Sequence, residues 1–206
     1  MAGDLTTQLQ QLLNRMNAGE GTAQEELVVR ACERLRRLTR TIFHDFPRVH
    51  RFEDTGDVLH NAMLRLLRRL KAVSVPSVAD FFSLAAREIR LELIDLARHY
   101  YGPAGAGRKQ AGLVCGDRDG RNPAGGLEQG DSSCQPDRLM FWTEFHQRIE
   151  SLPVGERVIF DLLWYHEMTQ EEAAVVLNMS LSSVKRHWFA TRMRLQDFLQ
   201  DAEGIL

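Results

Sequence analysis

The sequence predicts an all-α protein made of two small helical domains that are joined by a flexible linker rich in Gly and Pro. Two observations lead to this fold class. Outside the linker, apolar residues recur at steps of three and four, as they do along the buried face of a helix. No segment shows the convincing alternation of apolar and polar residues that is typical of a strand. The predicted units are residues 1–101, the linker 102–136 and residues 137–206.

The first two predicted helices form the start of the N-terminal unit. Residues 5–16 have the pattern of a short amphipathic helix, and a longer helix begins at Thr22 and ends before Pro47. The longer helix carries an apolar stripe, which predicts its buried side. This stripe consists of Leu27, Ala31, Leu35, Leu38 and Ile42. Its flank is basic and carries Arg30, Arg34, Arg36, Arg37 and Arg40.

The third predicted helix, residues 54–73, has two distinct faces. Asp54 or Thr55 can cap it, and an acid in its first turn interacts favourably with the helix dipole. The core stripe is Leu59, Met63, Leu66 and Leu70. The second face is mixed and consists of Asp57, His60, Asn61, Leu64 and Arg68. A leucine on such a face is explained either by a partner protein that covers it or by a neighbouring helix.

A fourth helix follows Asp80, which is predicted to cap it. Its core stripe is Phe82, Ala85, Ile89, Leu93 and Leu96. Basic and aromatic side chains lie on it or just beyond it, namely Arg87, Arg90, Arg98, His99, Tyr100 and Tyr101. Cations and stackable rings are what binding of single-stranded DNA uses, although the pattern alone fits core packing better.

Residues 102–136 differ from the rest of the chain. Nine glycines and three prolines interrupt them, and they show no apolar period, so they offer little to bury. Such a segment is predicted to be a coil whose ends lie about 30–35 Å apart on average. Two domains on this tether are expected to have no fixed geometry until something external imposes one.

The C-terminal unit begins with two apolar helical segments and continues into a capped pair of helices at residues 169–195. The first segments carry Leu139, Phe141, Trp142, Phe145 and Ile149, and then Val158, Ile159, Leu162 and Leu163. Within the pair, Thr169 and Glu172 have the spacing of a capping box. Asn178 tolerates the left-handed conformation that ends a helix, and Ser180 can cap the next one.

The second helix of this pair has one apolar side and one basic side. Val184, Trp188, Thr191 and Leu195 share the apolar stripe. The other side carries Ser182, Ser183, Lys185, Arg186, Phe189 and Arg192, and no acid occurs between Met179 and Gln196. This is the helix-turn-helix arrangement, whose second helix enters the major groove of DNA. The simpler alternative is a helical hairpin whose charged face is only solvated.

Charge and cysteine content exclude several classes of protein. The net charge is −2, so affinity for nucleic acid has to come from local basic faces. Cys32, Cys115 and Cys134 show no C-x-x-C spacing, and the histidines have no metal-ligand spacing, so no metal or cofactor is predicted. The N-terminus does not resemble a signal peptide and no run is long enough to span a bilayer, which predicts a cytoplasmic protein.

Three blocks of the sequence, taken in order and separated by the linker, carry a resemblance to a known family. They are DTGDVLHNAMLRL at 54–66, FFSLAAREIRLELIDLAR at 81–98 and LPVGERVIFDLLWYHEMTQEEAAVVLNMSLSSVKRHWFATRMRL at 152–195. They resemble the extracytoplasmic-function (ECF) group of bacterial RNA polymerase sigma factors. The resemblance implies a non-enzymatic subunit that binds core RNA polymerase and directs it to promoters. Residues 1–101 would be sigma domain 2, and residues 137–206 would be sigma domain 4.

The resemblance also implies roles for individual residues. The first block would dock on the clamp helices of the largest polymerase subunit through Asp57, His60, Asn61 and Leu64, although Asn61 stands where an acid is common. The second block would recognise the −10 element and the melted strand through Arg87, Arg90, Arg98 and His99. The third would read the −35 element through Ser182, Ser183, Lys185, Arg186 and Phe189. Arg192 and the backbone amides near Gln170 would hold phosphates.

Three other hypotheses remain from the sequence alone. The chain could be a sigma-like decoy that binds an anti-sigma factor, but it has no room for the receiver domain that such mimics usually carry. It could be a helix-turn-helix repressor, which would leave the first two blocks unexplained. An enzyme is disfavoured because no nucleophile has a convincing base nearby; Cys32 lies on an arginine-rich helix and fits a packed thiol.

Overall fold

The computed structural model describes residues 2–46, 49–101 and 136–202. Within these ranges the chain forms eight α-helices and no strand, so the all-α prediction is confirmed. The predicted linker falls outside the described residues except for its last position, and so do Cys115 and Cys134. In the described ranges, no helix is long and apolar enough to cross a membrane.

In the N-terminal half, the described residues 2–46 and 49–101 form four α-helices. They are α1 (Ala2–Asn17), α2 (Gly21–His44), α3 (Thr55–Ala72) and α4 (Val78–Tyr101), with a short 3-10 helix at Val49–Arg51. The C-terminal half contains the other four. They are α5 (Pro136–Ser151), α6 (Val154–Phe160), α7 (Gln170–Leu177) and α8 (Leu181–Ala202), and a π-helical turn, Asp161–Tyr165, continues α6.

The starts of α3 and α4 test the predicted caps. Asp54 caps α3 as predicted, because its Oδ1 accepts hydrogen bonds from the backbone N–H groups of Gly56 at 2.6 Å and Asp57 at 2.9 Å. The prediction that Asp80 caps the fourth helix is wrong. The helix begins at Val78, and Ser77 Oγ accepts a hydrogen bond from the Asp80 backbone N–H at 3.1 Å. Asp80 therefore lies in the first turn, where its charge suits the helix dipole.

The predicted apolar stripes of α2, α3 and α4 form the core of the N-terminal half. Every predicted stripe residue of α2 is buried. On α3, Leu59, Leu66 and Leu70 are buried, while Met63 is partly buried against the core. Tyr100 also packs inward, since its ring stacks on Phe52 at 4.3 Å between centroids. Helical periodicity therefore predicted the inward faces of these helices correctly.

The two halves pack against each other, contrary to the expectation that they have no fixed geometry. Contacts join α4 to α5, α6 and the π-helical turn, and α2 also contacts this turn. Aromatic rings meet across the boundary: Phe82 lies 4.6 Å from His166, and Phe46 stacks on His146 at 5.1 Å, measured between ring centroids. We call this packed state the closed arrangement. The closed arrangement is held by tertiary contacts, which cannot be inferred from the composition of the linker.

Candidate nucleic-acid interface

The turn between α7 and α8 has the local chemistry that the sequence predicted. Thr169 Oγ1 accepts a hydrogen bond from the Glu172 backbone N–H at 3.1 Å, and the Glu172 carboxylate accepts one from the Thr169 N–H at 2.9 Å. The capping box is therefore confirmed. Asn178 ends α7 with a left-handed backbone at φ 50°, and Ser180 Oγ accepts a hydrogen bond from the Ser183 N–H at 3.2 Å. These bonds fix the angle at which α8 leaves the turn.

Burial fixes which side of α8 faces outward. Val184, Thr191 and Leu195 are buried, and Trp188 is partly buried with its ring 6.2 Å from that of Phe160. Thr191 can be buried because its hydroxyl donates to the His187 carbonyl at 2.9 Å. The opposite side of α8 is consequently held away from the protein.

The outward side of α8 is the basic surface that the sequence predicted. Ser182, Lys185, Arg186, Phe189 and Arg192 are exposed, whereas Ser183 and the more distant Gln170 are partly buried. Lys185, Arg186 and Arg192 form no ion pair with any described residue, in contrast to Arg194, whose Nε lies 2.9 Å from Glu156. Phe189 is 67% exposed, which leaves a large apolar ring in water. We call the five exposed residues the α8 outer face.

Two helices joined by a tight, capped turn, with an unneutralised basic face on the second helix, have the arrangement that helix-turn-helix proteins share, a class that includes many DNA-binding proteins. Comparison with known proteins identifies the family within this class. The chain belongs to the ECF sigma factors, because the family model described as "ECF sigma factor" matches residues 6–201, nearly the whole chain. A search of curated proteins gave no match. As a family member the chain is a sigma factor that acts in transcription initiation, and it is not an enzyme.

The residues predicted to contact the −10 element do not form one exposed surface. Arg98 and His99 are exposed at the end of α4, and Arg98 Nη1 lies 3.9 Å from Asp95 Oδ1. Arg87 is only partly exposed, and its Nε donates to Glu150 on α5 at 3.1 Å. Arg90 has no exposed surface. In the closed arrangement, two of the four predicted residues therefore bind the other half of the chain.

Arg90 is the centre of a buried polar cluster between the halves. Its Nη1 donates to Asp161 Oδ1 and its Nη2 to Glu150 Oε1, each at 2.5 Å. Ser83 donates to the other oxygen of Asp161 at 2.8 Å. Burial raises the pKa of Asp161. The charge of Arg90 opposes that rise, as do the hydrogen bonds that Asp161 accepts from Arg90 and Ser83. Asp161 and Glu150 therefore accept hydrogen bonds from a guanidinium that has no access to water, and Ser83 donates to Asp161.

A second polar contact lies next to this cluster. The Tyr165 hydroxyl and His146 Nδ1 are 2.7 Å apart, and His146 Nε2 is 3.3 Å from Asp45 Oδ2 on the far side of the interface. Burial lowers the pKa of His146 well below its ordinary value, with a further contribution from the Arg90 charge. Burial also raises the pKa of Asp45 to about 7. The interface therefore contains titratable groups whose pKa values are shifted by burial.

The sequence interpretation missed Asp45, His146, Glu150, Asp161 and Tyr165. One signal was present, because His146 is a polar residue inside an aromatic-rich stretch and such a residue needs a buried partner. No comparable signal marks Asp161, whose position depends on the π-helical turn. There the His166 backbone N–H donates to the Asp161 carbonyl at 3.0 Å, one residue further back than in an α-helix.

The predicted polymerase-docking face of α3 lies on the surface. Asp57 and His60 are exposed, and Leu64 is 41% exposed, so no described helix covers this leucine completely. Asn61 is partly buried and hydrogen-bonds to Glu92, which also pairs with Arg65 at 2.8 Å. The face thus combines an apolar group with polar ones, as a protein-docking surface does. In the described part of the chain, no group of His, Cys, Asp and Glu side chains could hold a metal ion.

Proposed function

We propose that this sigma factor binds core RNA polymerase through α3 and directs it to promoters whose −35 element is read by α8. The observation that carries the proposal is the α8 outer face, where exposed cations and an exposed aromatic ring have no partner in the described chain. A decoy for an anti-sigma factor would need no DNA-reading surface. A repressor would leave the α3 face without a role.

The assignment of the −35 reader rests on the chemistry of the α8 side chains. Arg186 can donate two hydrogen bonds to a guanine edge, and Lys185 can bind a guanine edge or a phosphate. Phe189 can contact a thymine methyl group or the groove wall. Ser182 and Ser183 add hydroxyl contacts near the start of α8. Arg192 and the N-terminal amides of α7 near Gln170 would hold backbone phosphates and so fix the register.

The assignment of the docking face rests on Leu64 and its neighbours. Asp57, His60 and Asn61 surround this leucine, and together they would contact the clamp helices of the largest subunit. An exposed leucine within a polar rim is consistent with such a contact. The binding partners in this proposal are thus core polymerase and promoter DNA, in duplex and melted form. The chain would act in the cytoplasm, where an anti-sigma factor could restrain it.

Reading of the −10 element requires a change in the closed arrangement. Arg98 and His99 are accessible as they stand, whereas Arg87 and Arg90 bind Glu150 and Asp161. We therefore propose that the halves separate on the polymerase, which then sets the distance between the two readers. Separation would expose the α4 face to the melted strand, whose bases and phosphates offset the energy of strand opening.

Transcription in vitro with purified core polymerase tests the −35 assignment. Arg186→Ala should reduce initiation from a promoter that the wild-type chain uses by about fivefold or more, because one good base contact contributes about 1–3 kcal/mol. Arg194→Ala is the matched control, since Arg194 lies on the same helix but pairs with Glu156. Equal transcription by Arg186→Ala and wild type from every promoter would contradict the assignment.

Co-purification with core polymerase tests the docking face. Leu64→Asp places a charge in the apolar contact and should abolish recovery of the complex. Val73→Asp is the control, because Val73 is 49% exposed at the end of the same helix and lies outside the proposed face. Unchanged recovery of the Leu64 variant would rule out this docking mode. Transcription from any promoter by the wild-type chain would exclude the decoy alternative.

A further inference from the structure

A cavity of about 620 Å³ lies between the two halves, away from the α8 outer face. α1 and α2 form one wall, and the other is formed by the segment from Tyr165 to Met168 together with α7. This volume is in the range of small-molecule binding sites, about 300–1,000 Å³. The residues assigned above to DNA or polymerase do not line the cavity, so the proposed function does not account for it.

Part of the cavity wall is apolar. The apolar and aromatic lining residues are Leu38, Tyr165, Met168, Val175 and Val176. Val175 is 80% exposed, although it lies beside the other apolar groups. An apolar body of modest size would remove this surface from water, which stabilises a complex by about 25 cal/mol for each Å² buried.

Two arginines supply the cationic part of the lining. Arg34 is partly buried and its guanidinium lies 4.8 Å from the centroid of the Phe82 ring, while Arg37 lies three residues further along α2. Neither guanidinium forms an ion pair with a described carboxylate. Burial lowers the pKa of Arg34, and the like charge of Arg37 lowers it further. An anion between the two arginines would relieve this repulsion.

The acids in the lining do not supply that anion. Glu172 attracts Arg34 electrostatically, but its carboxylate accepts the capping-box hydrogen bond from Thr169 at 2.9 Å. Glu167 is exposed. The charges of the two arginines are therefore only partly offset by the protein itself.

His166 adds a polar atom without a partner. Its Nε2 is buried and has no hydrogen bond with any described residue, while the ring is held by a hydrogen bond to the Phe82 backbone. Burial lowers the pKa of His166 to about 3, with a further contribution from the Arg34 charge, so the ring is neutral at pH 7. His166 therefore adds no positive charge to the lining, and the cationic groups of the cavity are Arg34 and Arg37.

We propose that this cavity binds a small organic oxyanion, a carboxylate or a phosphate monoester, with an apolar body. The oxyanion lies against Arg34 and Arg37, and the body packs on Leu38, Met168 and Val176. Because both halves form the walls, a bound ligand favours the closed arrangement over the separated one. Binding does not depend on the proposed function, whereas any effect of the ligand on transcription rests on it.

Isothermal titration calorimetry of the full chain, without polymerase or DNA, tests the proposal. Phenyl phosphate and phenylacetate are the two probes, and their relative affinities distinguish the phosphate from the carboxylate. At least one should bind saturably and about tenfold or more tightly than 2-phenylethanol or inorganic phosphate, since charge-assisted hydrogen bonds contribute about 1.5–3 kcal/mol. Absence of saturable binding by both anions, or equal binding of the alcohol, would overturn the proposal.

Variants locate the binding within the cavity. The double variant Arg34→Gln, Arg37→Gln should bind the preferred anion about tenfold or more weakly. Val175→Glu should also weaken binding, because it adds a negative charge to the lining at a position too exposed to disturb folding. Arg30→Gln is the control, since Arg30 is exposed on α2 and does not line this cavity. If Val175→Glu and the folded double variant both bind as the wild type does, the site is wrongly assigned.

The same measurements separate this proposal from the proposed function. A chain that binds the anion but does not support transcription would contradict only the proposed function. A chain that supports transcription but shows no heat of binding with either anion would refute only the proposed ligand site in the cavity. Thermal denaturation offers a second readout, because a ligand that binds the folded chain raises its midpoint.

Discussion

The basic surfaces of α8 and α4 contain the same kinds of side chain but have opposite environments. On α8, Lys185 and Arg186 are exposed and have no carboxylate partner in the described chain. On α4, Arg90 is fully buried and bonds to Glu150 and Asp161. The difference shows that a suitable position along a helix is not enough to make an arginine accessible to DNA. Its tertiary surroundings decide whether it is.

The chemistry of the closed interface also differs from that of a domain core. Taking Arg90 and Asp161 out of water carries a desolvation cost that their mutual attraction offsets only in part. When the halves separate, both groups regain water, so opening costs less than the rupture of an apolar interface of similar size. An interface that combines a polar cluster with apolar contacts is suited to domains that change their relative position. Under the proposed function, the buried α4 arginines would become available only after separation, whereas the α8 outer face is already exposed in the closed arrangement.

The largest effect is expected from breaking the buried pair. Asp161→Ala leaves Arg90 with Glu150 alone, so the free energy of unfolding should fall by about 2–4 kcal/mol. The loss should appear in urea denaturation, and small-angle scattering should show a larger radius of gyration. Glu144→Ala on α5 is the control, because its pair with Arg148 is half exposed and should contribute less than about 1 kcal/mol. Equal stability of the Asp161 variant and the wild type would show that the cluster does not hold the halves together.

A pH-dependent effect is expected at Asp45. Its pKa is raised to about 7 in the folded chain, against about 3.9 in an unfolded one, so between these pH values the folded state binds more protons. This carboxyl therefore makes stability fall as pH rises from about 4 to 7. Asp45→Asn removes the contribution, and the variant should be more stable than the wild type at pH 8 by roughly 1–3 kcal/mol.

The gain from Asp45→Asn should shrink as the pH is lowered and vanish near pH 4. Urea denaturation at a series of pH values measures it. His146, whose pKa is lowered, opposes this dependence, and because its Nε2 lies 3.3 Å from Asp45 Oδ2 the measured difference includes any change in its titration. Asp95→Asn is the control, because Asp95 is half exposed on α4. A constant difference across the pH range would mean that Asp45 acts through packing and not through its charge.

The smallest effect is expected in the helix-turn-helix. Thr169→Ala removes one half of the capping box and should lower the free energy of unfolding by about 1 kcal/mol. Unlike the change at Asp161, it should leave the radius of gyration unchanged, since Thr169 is exposed and outside the buried cluster. Ser151→Ala is the control, because this exposed hydroxyl only donates to the Arg148 carbonyl at 2.7 Å. Separation of the halves in the Thr169 variant would show that α7 contributes more to closure than its contacts indicate.

Sequence patterns predicted the features that depend on neighbours along the chain. The capping box at Thr169, the left-handed Asn178 and the cap at Asp54 all depend on side chains reaching backbone groups within a few residues. The exception at the start of α4 is also local, since Ser77 and Asp80 are both good caps and spacing alone does not choose between them. Apolar periodicity likewise predicted which faces are buried, because any helix needs an apolar side to join a core.

Features that depend on distant parts of the chain could not be predicted in this way. Arg90 and Asp161 are 71 residues apart, and no periodicity links them. A buried arginine and an exposed one look the same in a sequence. The glycine-rich segment led to the expectation of two regions without fixed geometry, but the composition of a segment does not determine whether the regions on either side of it pack together. The cavity at Arg34 and Arg37 exists only because the two helical regions pack together.

The π-helical turn at Asp161–Tyr165 makes the alignment of the two halves sensitive to chain length. One additional residue in a helical turn rotates everything after it by about 100° relative to everything before it. Deletion of one residue here would leave the helix-turn-helix internally intact. It would, however, turn Asp161 away from Arg90 or Tyr165 away from His146. A single codon in this turn therefore sets the rotation of α7 and α8 relative to the rest of the protein.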